Sequence, residues 1–330
     1  MQLKSQQKGE IMRKMLGVAA IITAFMLLVP LAVLGEGKEE KENAIQTVVL
    51  QNKNENKEDI FKVYNHETKE ITEMSAEDYI FCVVAAEMPA LYEVEALKAQ
   101  AVASYTYACY KREENKGKEY DISTDFNADQ SFKTPEKARE DWGENADEYV
   151  EKIKKAVKSV IGQKITYKGE TILAVYHAVS CGETYSAKDV WGKEIKYLQS
   201  ADSKGDETAK NYMQTFQFKE SELAEKLEPL ITSKKGNTPL LGQMVFKKNG
   251  LVESVNIYGQ KVSGSEIRTA LGLASSNFKF EKIDGIYVFT TLGYGHGVGM
   301  SQKGADCLAK EGLNYEKILK HYYKGTAITN

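Results

Sequence analysis

Glu87 is the residue of this sequence whose type and position are most typical of a catalytic acid. It follows the apolar run 80–86, which has helical periodicity, and Pro89 disfavours helical geometry at the residue before it. The helix is therefore predicted to stop within a residue of Glu87, where unpaired carbonyls carry a partial negative charge. That charge and desolvation by the apolar run both raise the pKa of a carboxyl, which is what a general acid needs.

A second signal is the glycine-rich segment 293–304, which has five glycines in twelve residues. Glycines allow a backbone to approach a ligand closely, and His296 and Gln302 in this segment can donate and accept hydrogen bonds. The spacing matches neither a phosphate loop nor the dinucleotide-binding pattern. The alternative interpretation is a tight structural turn before a helix at 305–310.

A third signal is the segment 177–184, at the end of a predicted strand. Residues 177, 179 and 181 would share one face, so His177 and Cys181 could act together as metal ligands or as a nucleophile pair. The sequence offers no second ligand pair of standard spacing. A partly buried histidine that lines a polar cleft is therefore the favoured interpretation.

The elements that must position these residues are predicted from periodicity and turn residues. Ser75 to Asp78 resembles a capping box that starts the Glu87 helix, and a second helix follows from Val94 to about Arg112. Further predicted elements are a hairpin of 60–64 with 67–71, a loop over 120–143, a helix over 148–160, strands over 164–167 and 171–179, a helix from Ser221, hairpins around Asn249-Gly250 and Asp284-Gly285, and a capped helix at 263–266. This mixture lacks strict βαβ alternation, which predicts an α+β fold, one large domain of one or two lobes over 60–330.

Composition narrows the classes of function. The chain has 330 residues and a net charge of -3, which provides no basic surface for nucleic acid. Its four cysteines are widely and irregularly spaced, so they do not indicate a disulfide framework. Its 19 tyrosines have apolar faces with polar tips, which suit packing and also stacking against sugar rings.

The almost wholly apolar run 15–35 is predicted to be a transmembrane helix, because its length spans roughly 30 Å. Basic residues within 1–14 hold the N-terminus in the cytoplasm, so the rest of the chain is expected to be extracytoplasmic on a single-pass anchor in the cell membrane. A retained anchor is favoured over a cleaved signal peptide, whose apolar region is usually shorter. The polar composition of 36–59 predicts a solvated linker.

These segments, in this order behind an N-terminal anchor, resemble the stage II sporulation protein D family. The similarity covers roughly residues 60–330 and is carried by three motifs that are specific only together. They are 87–89 with 95–102, then 177–184 with Trp191-Gly192, and then 295–302 with 318–325.

The resemblance implies a peptidoglycan lytic transglycosylase of forespore engulfment, with Glu87 as its single catalytic residue. Glu87 would protonate the glycosidic oxygen between N-acetylmuramic acid and N-acetylglucosamine, and would then take the proton of the muramoyl 6-hydroxyl as a 1,6-anhydro ring closes. No cofactor and no metal is expected. The residues expected to bind the glycan are Lys98, Gln100, His177, Ser180, Gly182, Tyr197, His296 and Gln302.

The resemblance also implies partners. The substrate would be the glycan strands of peptidoglycan, and the family favours strands freed of their stem peptides. A sporulation amidase/endopeptidase and a membrane engulfment complex are expected to act at the same membrane.

Two departures from the family pattern affect these expectations. Many members have an arginine in the second helix where this chain has Tyr105, so a basic contact to the glycan would be absent or supplied by Lys98. Some members carry Cys and His metal ligands in the loop that is 122–130 here. Those residue types are absent from this stretch, which predicts no zinc site.

Two other functions compete with the transglycosylase. One is a non-catalytic glycan-binding module that enhances an amidase, a role to which the same domain is linked in some cell-wall proteins. The other is a metal-dependent peptidoglycan hydrolase built on His177, Cys181 and His296. The complete Glu-Met-Pro motif and the single anchor favour the sporulation enzyme.

Overall fold

A computed structural model describes residues 59–232 and 238–330 of the chain. The predicted cytoplasmic segment 1–14, the anchor 15–35 and the linker up to residue 58 lie outside the described residues. Within the described ranges, none of the helices combines the length and the apolar character that crossing a bilayer requires. The residues from Asp59 to Asn330 form one compact unit.

Helix boundaries follow local sequence signals. The hydroxyls of Ser75, Thr134 and Ser263 each accept a backbone N–H as N-caps, and Ser263 with Glu266 forms a complete capping box. The α-helices are α1 (Ala76–Glu87), α2 (Val94–Glu114), α3 (Pro135–Trp142), α4 (Ala146–Lys158), α5 (Ala187–Trp191), α6 (Glu220–Leu227), α7 (Gly264–Leu271), α8 (Gln302–Lys310) and α9 (Tyr315–Tyr322). Short 3-10 helices span Gly143–Asn145, Lys204–Thr208 and Glu228–Leu230.

The strands are short and lie in small sheets, most of them antiparallel. They are β1 (Ile60–Tyr64), β2 (Ile71–Ser75), β3 (Ile122–Ser123), β4 (Lys164–Tyr167), β5 (Glu170–Thr171), β6 (Tyr176–His177), β7 (Met213–Lys219), β8 (Leu241–Phe246), β9 (Val252–Ile257), β10 (Gln260–Ser263), β11 (Phe278–Ile283), β12 (Ile286–Leu292), β13 (Met300–Ser301) and β14 (Ala327–Thr329). The sheet orders are β2-β1-β3, β10-β9-β8, β11-β12-β7, β13-β6 and β14-β4-β5. The predicted α+β class is confirmed.

Three predicted elements differ in the structure. The first hairpin pairs 60–64 with 71–75 rather than with 67–71, because the turn extends from Asn65 to Glu70 and includes Lys69 at φ 64°. The predicted loop 120–143 contains β3 and α3, and α3 starts where Pro135 follows the capping residue Thr134. The predicted strand 171–179 is interrupted between β5 and β6.

Two hydrophobic cores divide the compact unit. The larger core is built mainly from α1, α2, α4, α8 and α9, and we call residues 59–212 with 293–330 the α lobe. The smaller core lies between α6, α7 and the sheets of β7–β12, and we call residues 213–292 the β lobe. The described residues therefore form two lobes, each with its own core.

A parallel pair of short strands brings two of the sequence motifs together. Met300 pairs with Tyr176 and Ser301 pairs with His177, so the glycine-rich segment lies beside the 177–184 segment. A bridge between Val179 and Tyr294 continues this contact. Gly299 permits it, because a Cβ atom there would lie 2.0 Å from the carbonyl oxygen of Val175.

Candidate active site

Glu87 is the last residue of α1, as its sequence context predicts. Met88 has extended backbone geometry, φ -122° and ψ 141°, and its N–H donates to Val84 O at 3.0 Å. The proline at 89 is thus preceded by the extended residue that it favours. The carboxyl of Glu87 lies half-buried at the C-terminal end of a buried helix.

Two donors from distant parts of the chain hold the Glu87 carboxyl. The backbone N–H of Ser131 donates to Oε1 at 2.8 Å, and Nε2 of Gln302 donates to Oε2 at 3.3 Å. Each carboxyl oxygen therefore has a donor, which fixes the orientation of the group. Gln302 is the first residue of α8, so the glycine-rich segment delivers it to Glu87.

A second layer of polar groups supports these donors. Oε1 of Gln100 accepts from Gln302 at 3.4 Å, and Nε2 of Gln100 donates to Ser104 Oγ at 3.0 Å. The Tyr176 hydroxyl, which also interacts with the Glu87 carboxyl, donates to Oε1 of Gln130 at 2.8 Å. We call Glu87, Gln100, Gln130, Ser131, Tyr176 and Gln302 the acid network.

Burial raises the pKa of Glu87 above its ordinary value. The hydrogen bonds from Ser131 and Gln302 act in the opposite direction, because they stabilise the carboxylate, but desolvation is the largest effect. A carboxyl with a raised pKa keeps its proton to higher pH than an ordinary glutamate does, and it can release that proton to a reacting group. The same donors then stabilise the carboxylate that remains.

Asp206 forms hydrogen bonds that hold the segments around Ser180 and Ser301 together, next to the acid network. It is fully buried, and Oδ2 accepts from the Ser180 backbone N–H and from Ser301 Oγ, both at 2.6 Å. Since Ser301 is the N-cap of α8 and immediately precedes Gln302, Asp206 fixes the start of the helix that contacts Glu87. Burial raises the pKa of Asp206, and the hydrogen bonds from Ser180 and Ser301 oppose the shift.

His177 and His296 form a second group of polar residues, adjacent to the acid network. Their ring centroids are 5.7 Å apart, and the ring of Trp191 lies 5.7 Å from that of His296. Nδ1 of His177 lies 3.2 Å from Val298 O, and Nδ1 of His296 accepts from the Val298 N–H at 3.0 Å. We call His177, Trp191 and His296 the histidine cluster, together with Arg268, whose positive charge acts on both imidazoles.

Both imidazoles are held neutral. Burial lowers the pKa of His177 to about 3, and burial lowers the pKa of His296 to about 4. The positive charge of Arg268 contributes in both cases. Because Nδ1 of His177 faces a carbonyl, its Nε2 is the acceptor nitrogen, and that atom is buried without a hydrogen-bond partner among the described residues.

The predicted site residues therefore fall into three groups. Gln100 and Gln302 lie in the acid network with Glu87, and His177 and His296 lie together in the histidine cluster. Ser180 and Gly182 shape the loop held by Asp206, with Gly182 at φ 98°. The remaining two contact other parts of the α lobe. Lys98 pairs with Glu95 at 2.7 Å, and the Tyr197 hydroxyl accepts from the Leu173 N–H at 3.1 Å.

The residues considered for a metal are not arranged as a ligand set. Sγ of Cys181 lies 2.9 Å from the Tyr185 hydroxyl rather than beside His177. In residues 59–232 and 238–330, no group of three or more His, Cys, Asp or Glu side chains could hold a metal ion. Of the three residues of the metal-hydrolase alternative, His177 and His296 thus lie together, and the Cys181 thiol contacts Tyr185 instead.

Tyr105, at the position where the resemblance implies an arginine, has a structural role. Its hydroxyl donates to Asp59 Oδ2 at 2.6 Å, and Arg112 pairs with Asp59 Oδ1 at 2.8 Å. The ring packs against Phe61 at 6.1 Å. Tyr105 thus fixes the start of β1 to α2.

Sequence reasoning missed Ser131, Gln130, Tyr176, Asp206 and Arg268. Gln130 is the last residue of the segment 122–130 and Ser131 follows it, and the Ser131 contact with Glu87 is made by the backbone N–H, which any residue type could supply. Tyr176 directly precedes the 177–184 motif, and this position was the one signal that could have indicated it. Asp206 and Arg268 lie in segments with no distinguishing pattern.

Comparison with known proteins shows to which family this chain belongs. The family described as "SpoIID: Stage II sporulation protein" matches residues 64–167, which include Glu87 and all of α2. Stage II sporulation protein D of Bacillus amyloliquefaciens is 33% identical over 274 residues, which cover 82% of this chain and 78% of the relative. The chain belongs to the stage II sporulation protein D family. The resemblance inferred from the motifs is confirmed, and membership associates the chain with sporulation.

Two other relatives are also similar to most of this chain. Stage II sporulation protein D of Bacillus subtilis is 33% identical over 270 residues, covering 81% of this chain and 78% of the relative. The amidase enhancer of Bacillus subtilis is 27% identical over 299 residues, covering 75% of this chain but 40% of the relative. The similarity to the sporulation proteins thus extends over most of both chains, whereas the enhancer has additional sequence outside the match.

Proposed function

We propose that this protein is a peptidoglycan lytic transglycosylase in which Glu87 is the only catalytic residue. The observation that carries the proposal is the acid network, where a carboxyl of raised pKa is oriented by amide and backbone donors. No carboxylate hydrogen-bonds or pairs with Glu87 among the described residues. A single acid is sufficient when the attacking nucleophile belongs to the substrate.

In the proposed reaction, protonated Glu87 donates its proton to the glycosidic oxygen as the bond to C1 of N-acetylmuramic acid breaks. The muramoyl 6-hydroxyl attacks C1 and closes the 1,6-anhydro ring, and the carboxylate of Glu87 takes the hydroxyl proton. The products are an anhydro end and a free 4-hydroxyl on N-acetylglucosamine. Glu87 is protonated again at the end of the cycle, so no water is consumed.

The proposed context is forespore engulfment, on glycan strands freed of stem peptides. The protein would act on the extracytoplasmic side of the cell membrane, tethered by residues 15–35, with an amidase/endopeptidase and an engulfment complex as partners. Family membership supports this context. A protease added to intact protoplasts should remove the folded domain, whereas protection of the domain would contradict the proposed topology.

A second candidate is a non-catalytic glycan-binding module. The observation in its favour is the similarity to a protein named amidase enhancer. The acid network favours catalysis instead, because a binding module has no need of a carboxyl with a raised pKa.

Mass spectrometry of digested glycan strands distinguishes these functions. New 1,6-anhydro ends are expected from a transglycosylase, and new reducing ends from a hydrolase. A binding module produces no new ends. The proposal predicts anhydro ends from purified protein in the absence of any amidase, and failure to form them on peptide-free strands would contradict it.

A further inference from the structure

Arg268 is a cation beside the glycine-rich segment, and it has no counter-ion among the residues that the structure describes. Its Nε is buried and has no hydrogen-bond partner, and no carboxylate pairs with its guanidinium within residues 59–232 and 238–330. Proteins rarely leave a buried polar atom unpaired, so each such atom requires an explanation. The residue as a whole is only partly buried.

The position of Arg268 is fixed at the junction of the two lobes. It lies on α7, its carbonyl accepts from the Leu273 N–H at 2.9 Å, and the next residue, Ala274, accepts from the Gly295 N–H at 2.9 Å. These bonds attach the end of α7 to the glycine-rich segment. Arg268 lies near His296, because its positive charge contributes to the lowered pKa of that imidazole.

The groups around Arg268 do not neutralise it. Burial keeps His177 and His296 uncharged at neutral pH, so neither imidazole carries a charge that could balance the guanidinium of Arg268. The site therefore has a net positive charge, carried by one planar guanidinium. This group binds a carboxylate with two parallel hydrogen bonds.

Exposed aromatic rings lie next to this charge. Trp191 is 42% exposed and Tyr294 is 47% exposed, which leaves both rings available to a ligand. Trp191 also packs on His296, so its ring is held in place. An exposed, fixed aromatic ring beside polar groups suits the apolar face of a sugar.

We propose that Arg268 and Trp191 form a subsite for an acidic sugar, in which Arg268 binds the carboxylate and Trp191 stacks on the ring. The subsite adjoins the acid network through Tyr176, whose side chain belongs to that network and whose backbone hydrogen-bonds His296. Arg268 is thus a specificity residue and takes no part in proton transfer.

The identity of the sugar rests on the proposed function. In peptidoglycan, N-acetylmuramic acid carries a lactyl group whose carboxyl is an amide while a stem peptide is attached. Removal of the peptide exposes a carboxylate, and N-acetylglucosamine has none. Arg268 would therefore select muramoyl residues without a peptide, and the reaction class that supplies this substrate is amide hydrolysis at the lactyl carbonyl.

Binding assays in the Glu87→Gln background test this proposal without cleavage. The ligands are three oligosaccharides of equal length: a peptide-free muramoyl glycan, the same glycan with its lactyl carboxyls converted to methylamides, and a chitin oligosaccharide. The Glu87→Gln protein should bind the free carboxylate form about ten- to hundredfold more tightly than the other two, as expected for a charged hydrogen-bonded pair.

Three further variants in that background identify the residues responsible. Arg268→Gln should bind all three ligands equally, Arg268→Lys should retain part of the preference, and Trp191→Ala should weaken binding of all three. The matched control is Lys279→Gln, which removes one positive charge from an exposed position of the β lobe and should retain the full preference.

Two results would overturn the proposal: a folded Arg268→Gln protein that keeps the full preference, or a Glu87→Gln protein that has none. Failure of the proposed function is a separate outcome. If wild-type protein forms anhydro ends but the affinity is the same with and without a free lactyl carboxylate, only the Arg268 subsite is wrong. If no ends form but the preference disappears in Arg268→Gln, the subsite stands and the transglycosylase is wrong.

Discussion

The acid network and the histidine cluster lie side by side, yet they differ in how completely their polar groups are paired. In the acid network both oxygens of Glu87 accept hydrogen bonds, and the Gln302 donor is itself held by Gln100. In the histidine cluster the Nε2 atom of His177 and the Nε atom of Arg268 are buried without partners among the described residues. The first group is organised before a ligand arrives, as proton transfer requires, whereas the second contains donors and acceptors that a ligand can complete.

The largest effect should come from removing the acid itself. Glu87→Gln keeps the volume and the acceptor for Ser131 but loses the transferable proton, so anhydro-end formation should fall by about 10²–10⁴-fold. Glycan binding and the fold should be retained. Glu73→Gln, at an exposed position of β2, is the matched control and should retain full activity. Wild-type rates in Glu87→Gln would show that another group supplies the proton.

A smaller loss is expected when the donor to the acid is removed. Gln302→Ala should lower turnover about tenfold, because one hydrogen bond to a charged group is lost, and should change glycan affinity much less. The bond from Gln302 lowers the pKa of Glu87, so its removal should shift the acid-dependent limb of the pH–rate profile to higher pH. Gln217→Ala, at an exposed position of β7, is the control. An unchanged profile would mean that Gln302 does not contact the acid during catalysis.

In the histidine cluster, a substitution should affect glycan binding more than turnover, which is the reverse of the effect expected for Gln302→Ala. His296→Ala should weaken glycan binding by roughly three- to tenfold, since it removes a polar contact and the support of Trp191, while turnover at saturating glycan changes little. Comparison of KM with kcat measures this. A variant that loses melting temperature but keeps full affinity when folded would identify His296 as a structural residue.

The two groups should also affect stability with opposite pH dependence. His177 has a folded pKa of about 3, so from pH 7 to pH 5 the unfolded chain gains a proton that the folded protein does not, and the free energy of unfolding falls by about 2 kcal/mol. Glu87 has a raised pKa, so its contribution decreases as pH rises above the ordinary glutamate value.

Urea unfolding at pH 5 and pH 7 checks these signs. His177→Gln should reduce the loss of stability on acidification, even if the variant is less stable at both pH values. Glu87→Gln should be at least as stable as wild type at pH 7, because an amide avoids the desolvation of a carboxylate. A His177→Gln protein with the full wild-type pH dependence would show that this imidazole is not held neutral.

The sequence predicted the parts of the site that depend on local signals. Pro89 and the apolar run before it predicted where α1 ends and hence the environment of Glu87. The serine at 263 with Glu266 predicted a capped helix, and the Asn249-Gly250 and Asp284-Gly285 turns predicted two hairpins. In each case the residues that decide the structure lie within a few positions of one another.

The rest of the site depends on contacts between distant residues. Ser131 is 44 positions from Glu87, Gln302 is 215 positions away, and Asp206 joins segments at 180 and 301. No periodicity or spacing indicates which backbone N–H will meet a carboxyl. Within residues 59–232 and 238–330, the lack of a carboxylate partner for Arg268 likewise depends on how the two lobes pack, which cannot be read from the sequence.

In the proposed reaction, Glu87 transfers a proton in a cleavage that consumes no water. The most direct test is digestion of peptide-free glycan strands in water enriched in oxygen-18, followed by mass spectrometry of the new ends. Wild-type protein should form 1,6-anhydro ends without label, and Glu87→Gln should form almost none. An increase in labelled reducing ends over a sample without protein would contradict this reaction, because new reducing ends require attack by water.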